Sequence, residues 1–170
     1  MEYAAGVAIV KTIGIDVTIQ CAKALSCTAK GVYDLLRSIS STDNGGSVSK
    51  YIEETDLECM IKVMEKVVLA IDVNKHHTDP LLQCIEDLQT CLTLTEQILK
   101  EYQKRIDYNR SIWFFSSFRA YGFSDLHENL QLQVRHLNGR YDRLSNTIKM
   151  NAYLLPSVTA EKSDEMVIVN

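Results

Sequence analysis

The chain has few of the residues that make turns. Among its 170 residues there are only two prolines, Pro80 and Pro156, and seven glycines. β-Sandwiches and β-barrels need many tight turns between short strands. This shortage argues against both architectures and favours long helices.

An excess of positive charge is also missing, since the formal net charge is −4 at neutral pH. Binding to nucleic acid requires a basic surface that neutralises phosphates. We therefore expect no nucleic-acid partner. The length is that of a single domain with a substantial core.

No cysteine pair has the spacing of a metal or redox motif. The five cysteines are odd in number, and all of them fall within helical patterns: Cys21, Cys27, Cys59, Cys84 and Cys91. This usage predicts buried free thiols in a reducing compartment, with regulatory disulfides as the alternative.

Long hydrophobic runs are absent as well. Lys11 and Asp16 interrupt the apolar N-terminus well short of the roughly 20 residues that span a bilayer. Glu2 stands where a signal peptide carries positive charge. We expect a cytoplasmic protein without a permanent transmembrane helix.

Four long segments have helical periodicity. The first, residues 3–39, is apolar nearly all round, so it is either deeply buried or needs another apolar surface to cover it. Its residues at helical spacing are Val7, Val10, Ile13, Val17, Ala24, Cys27, Val32, Leu35 and Leu36. Serines and Asp-Asn-Gly-Gly predict a loop at residues 40–49.

The second segment, residues 50–74, has Thr55 as a candidate internal N-cap. Its helical positions are Leu57, Met60, Ile61, Met64, Val67, Val68 and Ile71. Asp79 followed by Pro80 predicts the start of a third helix that reaches about Ile106. Its heptad-like seam comprises Leu81, Ile85, Leu88, Leu92, Thr95, Leu99 and Tyr102.

Ser124 or Asp125 caps the fourth segment, residues 125–155, and Pro156 is expected to end it. Its seam comprises Leu126, Leu130, Val134, Leu137, Tyr141, Leu144 and Ile148. The predicted fold is all-α: an up-down-up-down four-helix bundle over residues 1–155, with a short brace helix between the third and fourth helices. Residues 156–170 are predicted to form a flexible tail or linker.

The brace is expected within residues 110–123, which read RSIWFFSSFRAYGF. Its aromatic residues are Trp113, Phe114, Phe115 and Phe118. They either pack across the open end of the bundle or dock on a partner or a membrane, and the two roles are compatible.

Basic residues cluster near the brace, at Lys100, Lys104, Arg105, Arg110 and Arg119. They are candidates for contacts with anionic lipid headgroups. The alternative is an ordinary solvated helix face.

Catalytic motifs are missing. His76, His77 and Asp79 lie in one turn, but adjacent histidines rarely converge on one metal ion, and no second ligand cluster is visible. The Glu-x-x-His motif of di-iron bundles, the G-x-S-x-G motif and Gly-rich phosphate loops are all absent. We expect a protein that is not an enzyme and has no metal or cofactor.

One family resemblance is carried by KEYQKR, ending at Arg105, and by NRSIWFFSSFRAYGFSDLHENLQLQVRHLN from Asn109 onward. It resembles the end of the third helix, the brace and the start of the fourth helix in the N-terminal bundle of mixed-lineage-kinase-domain-like pseudokinases. HeLo domains of fungal cell-death proteins and RPW8-type domains of plant immune receptors share this plan. Phe123, Asp125, Leu126 and Leu130 match the start of the fourth helix.

The opening AGVAIV, continuing through Gly14 and Ile15, is similar to the glycine-containing first helix of HeLo-type domains. The first helix here carries less charge than in the vertebrate pseudokinases, so their lipid contacts do not transfer residue by residue. No kinase-like domain follows within these 170 residues.

The resemblance implies a cell-death or immune signalling module that oligomerises on activation and permeabilises the inner leaflet of the plasma membrane. Its partners would be further copies of itself, anionic lipids, and a C-terminal regulatory domain or protein. Candidate membrane-binding or oligomer-forming residues are Val7, Val10, Lys11, Ile13, Val17 and Lys23. The alternative is a helical adaptor that binds a protein partner without acting on membranes.

Overall fold

The computed structural model describes residues 2–44, 46–69, 71, 79–112 and 120–161, which are mostly helical and include no strand. Side chains are described for 17–44, 46–68, 71, 79–112 and 120–151. Five helices lie in these ranges: α1 (Glu2–Asp43), α2 (Ser47–Glu54), α3 (Leu57–Leu69), α4 (Asp79–Ile112) and α5 (Ser124–Glu161). The all-α prediction is confirmed, and the number of helices differs from the predicted four.

The predicted loop at residues 40–49 is wrong in extent, because α1 continues to Asp43 and α2 begins at Ser47. Asn44 ends α1 in the left-handed conformation, with φ of 44°. The Asp43 carboxylate accepts a hydrogen bond from the backbone N of Ser49 at 2.8 Å, which satisfies a free N–H in the first turn of α2. This cap lets the chain reverse within three residues.

A break at Thr55 and Asp56 divides the predicted second helix into α2 and α3. Thr55 is the C-cap of α2, which corrects its expected role as an N-cap, and its hydroxyl donates to the carbonyl of Ile52 at 2.6 Å. Asp56 has a φ of 54°, a conformation that aspartate tolerates better than most residues. The interruption that an internal cap at Thr55 implied is therefore present, but Thr55 closes α2 instead of opening α3.

Two helix ends also lie beyond their predicted positions. α4 begins at Asp79 as predicted, but it ends at Ile112, six residues after Ile106. α5 continues through Pro156 to Glu161, which corrects the expected stop. A proline removes only one donor of the helical ladder, so the flanking backbone can stay helical. Residues 162–170 of the predicted tail lie outside the described residues.

The seam predicted for α4 is confirmed, since all seven of its residues are fully buried. In α5, Tyr141 and Ile148 are partly buried and the other five seam residues are buried. In α3, Leu57, Ile61, Met64 and Val68 are buried. These positions and one face of α1 form a single apolar core.

The face predicted for α1 needs correction. Val17, Ala24 and Cys27 are exposed, although Val32 and Leu36 are buried as expected. The residues of α1 that join the core follow a heptad: Leu25, Ala29, Val32, Leu36 and Ile39. Because this helix is apolar on several sides, its composition alone does not distinguish the face that is buried.

The cysteine prediction is confirmed only in part. Cys84 and Cys91 are buried, and Cys21 is half-buried, but Cys27 and Cys59 are exposed. All five thiols are free. Helical position was therefore a poor guide to burial for Cys27 and Cys59.

The contacts between helices give their directions. α4 runs antiparallel to α5, because Asp87 pairs with Arg140 near the start of α4 and Tyr102 meets His127 near its end. α1 runs parallel to α4. Side-chain hydrogen bonds join Thr28 to Gln89 at 2.7 Å and Ser38 to Gln103 at 3.2 Å. The end of α4 and the starts of α2 and α5 therefore lie together at one end of the molecule.

Candidate functional site

Three groups of residues were predicted to have functional roles, and the first lies in the N-terminal part of α1. The structure describes the side chains of two members of this group: Val17 is 39% exposed, and Lys23 is also exposed. The side chains of the other four predicted residues lie outside the described set; they are Val7, Val10, Lys11 and Ile13. Their backbone belongs to α1.

The N-terminal part of α1 extends along the bundle past the start of α4 and the end of α3. From the bond between Thr28 and Gln89, the first residue of α4 is level with about residue 18 of α1, since both helices rise by about 1.5 Å per residue. α3 runs the other way, and Lys62 lies 5.2 Å from the ring of Tyr33. The last residue of α3 is then level with about residue 26 of α1. The first turns of α1 precede both helices along the bundle.

The second predicted group is the aromatic brace, and its four residues lie outside the described residues: Trp113, Phe114, Phe115 and Phe118. The structure does describe what precedes and follows them. Arg110 is in the last turn of α4, and Phe123 directly precedes α5. The role of the brace stays a prediction.

The third group, the basic residues, is mostly on the surface of α4. Lys100 pairs with Glu96 at 2.7 Å, and Lys104 is 77% exposed and lies 3.9 Å from Glu101. Arg110 is exposed, and Arg119 lies outside the described residues. Exposed ion pairs of this kind are weak, so these side chains can exchange partners at little cost.

Arg105 differs from the other basic residues, because it connects α4 to the start of α5. Its Nη1 donates to Oδ1 of Asp125 at 2.7 Å, and its Nη2 donates to Oδ2 at 2.8 Å. Nη1 also donates to the carbonyl of Gly122 at 2.9 Å. The hydrogen bonds from this guanidinium hold the pKa of Asp125 below its usual range. Arg105 is thus largely engaged within the fold.

An aromatic junction, defined as Tyr51, Tyr102, Phe123 and His127, lies where α2, α4 and α5 meet. The Tyr51 ring stacks on the His127 ring with centroids 3.8 Å apart, and its hydroxyl donates to the carbonyl of His127 at 2.8 Å. The hydroxyl of Tyr102 lies 2.6 Å from Nδ1 of His127. Phe123 stacks on Tyr102 at 5.9 Å. One histidine therefore connects three elements.

Burial sets the protonation states in this junction. Tyr102 is fully buried, and desolvation raises its pKa well above the usual phenol value. Desolvation lowers the pKa of His127, and the Asp125 carboxylate opposes that shift. Both shifts favour a neutral phenol beside a neutral imidazole at physiological pH.

Two exposed tyrosines lie beside the junction. The side chain of Asn109 bonds the backbone of Tyr121 twice, at 2.9 Å to its carbonyl and 2.8 Å from its N–H. The Tyr121 ring is tilted against Tyr108 at 4.9 Å, and both side chains are exposed. The guanidinium of Arg105 lies 5.9 Å from the centroid of the Tyr121 ring, and the exposed Lys104 lies one turn before Tyr108 on α4, so this surface is both aromatic and basic.

An open groove of about 740 Å³ adjoins this surface. Its lining among the described residues comprises Asp43, Ile106, Asn109, Arg110, Ser111 and Phe123. Ile106 and Phe123 supply apolar surface, while Asp43 and Arg110 supply charges of opposite sign. This mixed lining does not favour one class of ligand.

Sequence reasoning did not predict the junction. It placed Tyr102 on the α4 seam, and it gave no role to His127 or Tyr51. The three residues are separated by 51 and 25 positions, and no local pattern links residues at such distances. The close approach of Arg105 to Asp125 was missed for the same reason.

No group of three or more His, Cys, Asp or Glu side chains that could hold a metal ion occurs among the described residues. The turn with His76 and His77, which the sequence did not favour as a metal site, lies outside them. Within the described part of the chain, no helix is both long enough and apolar enough to cross a bilayer.

Comparison of the chain with models of protein families, with curated protein sequences and with solved structures gave no match. The likeness to HeLo-type bundles therefore depends on the quoted residues alone and stays a proposal.

Proposed function

We propose that this chain is a non-enzymatic signalling module of the HeLo type that oligomerises and engages or permeabilises the inner leaflet of the plasma membrane. In this proposal α1, the α2–α3 pair, α4 and α5 form a four-helix bundle, and the segment between α4 and α5 is the brace. The module is cytoplasmic until activated, and it acts in cell death or immune signalling.

The observation that carries the proposal is the position of the first turns of α1, which precede both α3 and α4 along the bundle and have only the last turns of α5 at the same level. Residues 2–16 include only three charged side chains: Glu2, Lys11 and Asp16. An apolar helical surface of this kind is stabilised when lipid or another protein surface covers it. A membrane and a second copy of the chain are the two partners that the proposal names.

The basic surface of α4 supports the same proposal. Lys100, Lys104 and Arg110 are all exposed. Each basic residue near an anionic bilayer contributes on the order of 1 kcal/mol, and the attraction weakens as salt rises. Arg105 makes the smallest contribution in this scheme, because its guanidinium is engaged by Asp125 and Gly122.

Dye release from vesicles tests this proposal. One set of vesicles is pure phosphatidylcholine, and the other contains one part phosphatidylserine to three parts phosphatidylcholine. We expect leakage only from the anionic set, with a steep decrease as salt rises. Deleting residues 1–14 or introducing Val10→Glu should abolish leakage, and Lys104→Glu with Arg110→Glu should weaken binding.

Leu132→Glu is the matched control, since Leu132 is an exposed apolar residue on α5, away from both proposed surfaces. It should leak like the wild type. Circular dichroism of each variant separates loss of lipid binding from loss of fold. Equal leakage from both vesicle sets, or leakage unchanged by the deletion, would contradict the proposal.

The aromatic and basic surface favours one alternative, a helical adaptor that binds a protein partner. Tyrosine and arginine are enriched at the centres of protein interfaces, and the exposed rings of Tyr108 and Tyr121 lie together with Arg105 over the Tyr121 ring. An adaptor would ignore anionic vesicles at every salt concentration. That outcome, with the fold intact, would favour the adaptor, or a bundle that needs a C-terminal regulatory domain or partner for activation.

A further inference from the structure

His127 is held from three directions, which is unusual for a half-buried histidine near the start of a helix. Tyr51 of α2 stacks on one face of its ring at 3.8 Å. Tyr102 of α4 approaches Nδ1 at 2.6 Å. The ring of Phe123 stacks near it at 6.4 Å. Any change in the charge of this imidazole therefore acts on α2, α4 and α5 together.

The arrangement requires a particular proton distribution. The Tyr102 hydroxyl keeps its proton, because burial raises the pKa of this phenol. In the neutral arrangement the hydroxyl donates and Nδ1 accepts, so the imidazole proton lies on Nε2. If Nδ1 gains a proton, the Nδ1–H of His127 and the O–H of Tyr102 are both donors, and neither can accept from the other while the two protons point at each other. The phenol then has to turn its O–H away within the core, where a lost partner is costly.

The surrounding charges do not compensate for a positive imidazole. From α2 the facing titratable group is the Tyr51 phenol, and from α4 it is the Tyr102 phenol with Arg105 beyond it. On its own helix the nearest carboxylate is Asp125, which Arg105 already neutralises through two hydrogen bonds. His127 also lies in the first turn of α5, where the helix dipole opposes positive charge.

We propose that His127 is a proton-operated latch that holds the start of α5 against α2 and α4 at neutral pH and releases it on acidification. The fold favours the neutral imidazole, so the folded pKa lies below that of the unfolded chain. The contribution of His127 to stability is therefore complete well above about pH 6.5 and is lost as the pH falls below that value. The latch does not depend on the proposed membrane function.

Amide hydrogen exchange of the full chain tests the latch, with rates corrected for the intrinsic effect of pH on exchange. In the wild type we expect the amides at the start of α5 to lose protection between about pH 7.5 and about pH 5.5. His127→Gln should be equally protected at both pH values, because glutamine cannot take up the proton. His136→Gln, which changes an exposed histidine on the same helix, should behave like the wild type.

The histidine ring signals in a two-dimensional NMR titration provide a readout that does not depend on the folding of a variant. In the wild type His127 should titrate below about pH 6.5, the ordinary value for a histidine side chain. Tyr102→Phe should move the His127 midpoint upward and reduce the loss of protection, since it removes the donor to Nδ1. Wild-type protection that is unchanged by acidification would overturn the latch. So would a loss of protection that persists in His127→Gln, or a His127 that titrates at or above about pH 6.5.

Discussion

The guanidinium of Arg105 and the carboxylate of Asp125 form a two-pronged ion pair, with N–O distances of 2.7 and 2.8 Å. The two residues are 20 positions apart, and the pair joins the last third of α4 to the first turn of α5. A third hydrogen bond from Arg105 reaches the carbonyl of Gly122. This geometry holds the entry to α5 in place on the side next to the aromatic junction.

Arg105→Ala should lower the melting temperature by roughly 2–4 °C, the shift that the loss of about one net hydrogen bond produces in a chain of this size. Arg105→Lys should recover only part of the loss, because an ammonium group cannot donate two parallel bonds to one carboxylate. Lys104→Ala changes the adjacent exposed residue and is the control. Equal melting temperatures for all three variants, measured by circular dichroism, would contradict this account.

The same pair predicts how acid affects stability. Arg105 lowers the pKa of Asp125 in the folded chain. The pair therefore stabilises the fold above the ordinary aspartate pKa of about 3.9, and its contribution is lost as the pH falls through the lower folded value. In urea unfolding below about pH 5, Asp125→Asn should depend less steeply on pH than the wild type. Asp142→Asn, an exposed change on the same helix, is the control for the substitution itself.

The confirmed seam of α4 predicts a large contrast between two leucines on that helix. Leu88 is fully buried and Leu94 is 41% exposed. Leu88→Ala should lower the free energy of unfolding by about 2–5 kcal/mol, through lost burial and the cavity that remains. Leu94→Ala should change it by less than about 1 kcal/mol. Chemical denaturation measures both, and similar losses would show that the seam is misplaced.

Two glycines should respond to alanine with opposite signs. A Cβ on Gly139, within α5, meets nothing within 4 Å, so Gly139→Ala should stabilise the fold by about 0.5–1 kcal/mol. A Cβ on Gly46 would lie 2.5 Å from Oδ1 of Asp43. Gly46→Ala should destabilise the fold, because the carboxylate that caps α2 has to move. Thermal unfolding of the two variants checks both signs.

The exposure of the cysteines predicts two classes of reactivity. Cys27 and Cys59 should react quickly with a thiol-specific dye in the native protein, whereas Cys84 and Cys91 should react only on unfolding. Burial raises the pKa of Cys91, which slows its reaction further. The double change Cys27→Ser and Cys59→Ser should remove the fast phase. A fast phase that persists would place another thiol at the surface.

The seams of α4 and α5 were predictable because polar and charged residues cover their other faces. That contrast shows directly which side is buried. The start of α4 was also predictable, since an aspartate followed by a proline is a local signal that tertiary contacts rarely overrule. In α1 the contrast is missing, and the predicted face wrongly included Val17, Ala24 and Cys27. The buried heptad through Leu25 and Ala29 follows from packing against α3 and α4.

Of the predicted site, the structure leaves Lys100, Lys104 and Arg110 exposed, and it pairs Arg105 with Asp125 at the start of α5. The membrane role of these residues stays a prediction. The aromatic junction was not predictable, because nothing near Tyr51, Tyr102 or His127 in the chain marks them as partners.

By itself, the amino-acid sequence determined that this protein is helical and which sides of α4 and α5 are buried, because both depend on residues within a few turns of each other. Only the tertiary structure decided the left-handed backbone at Asp56, the buried face of α1 and the contact between Tyr102 and His127. Each of these depends on which helices meet and in what register. That choice is made by contacts among residues that are distant in the chain.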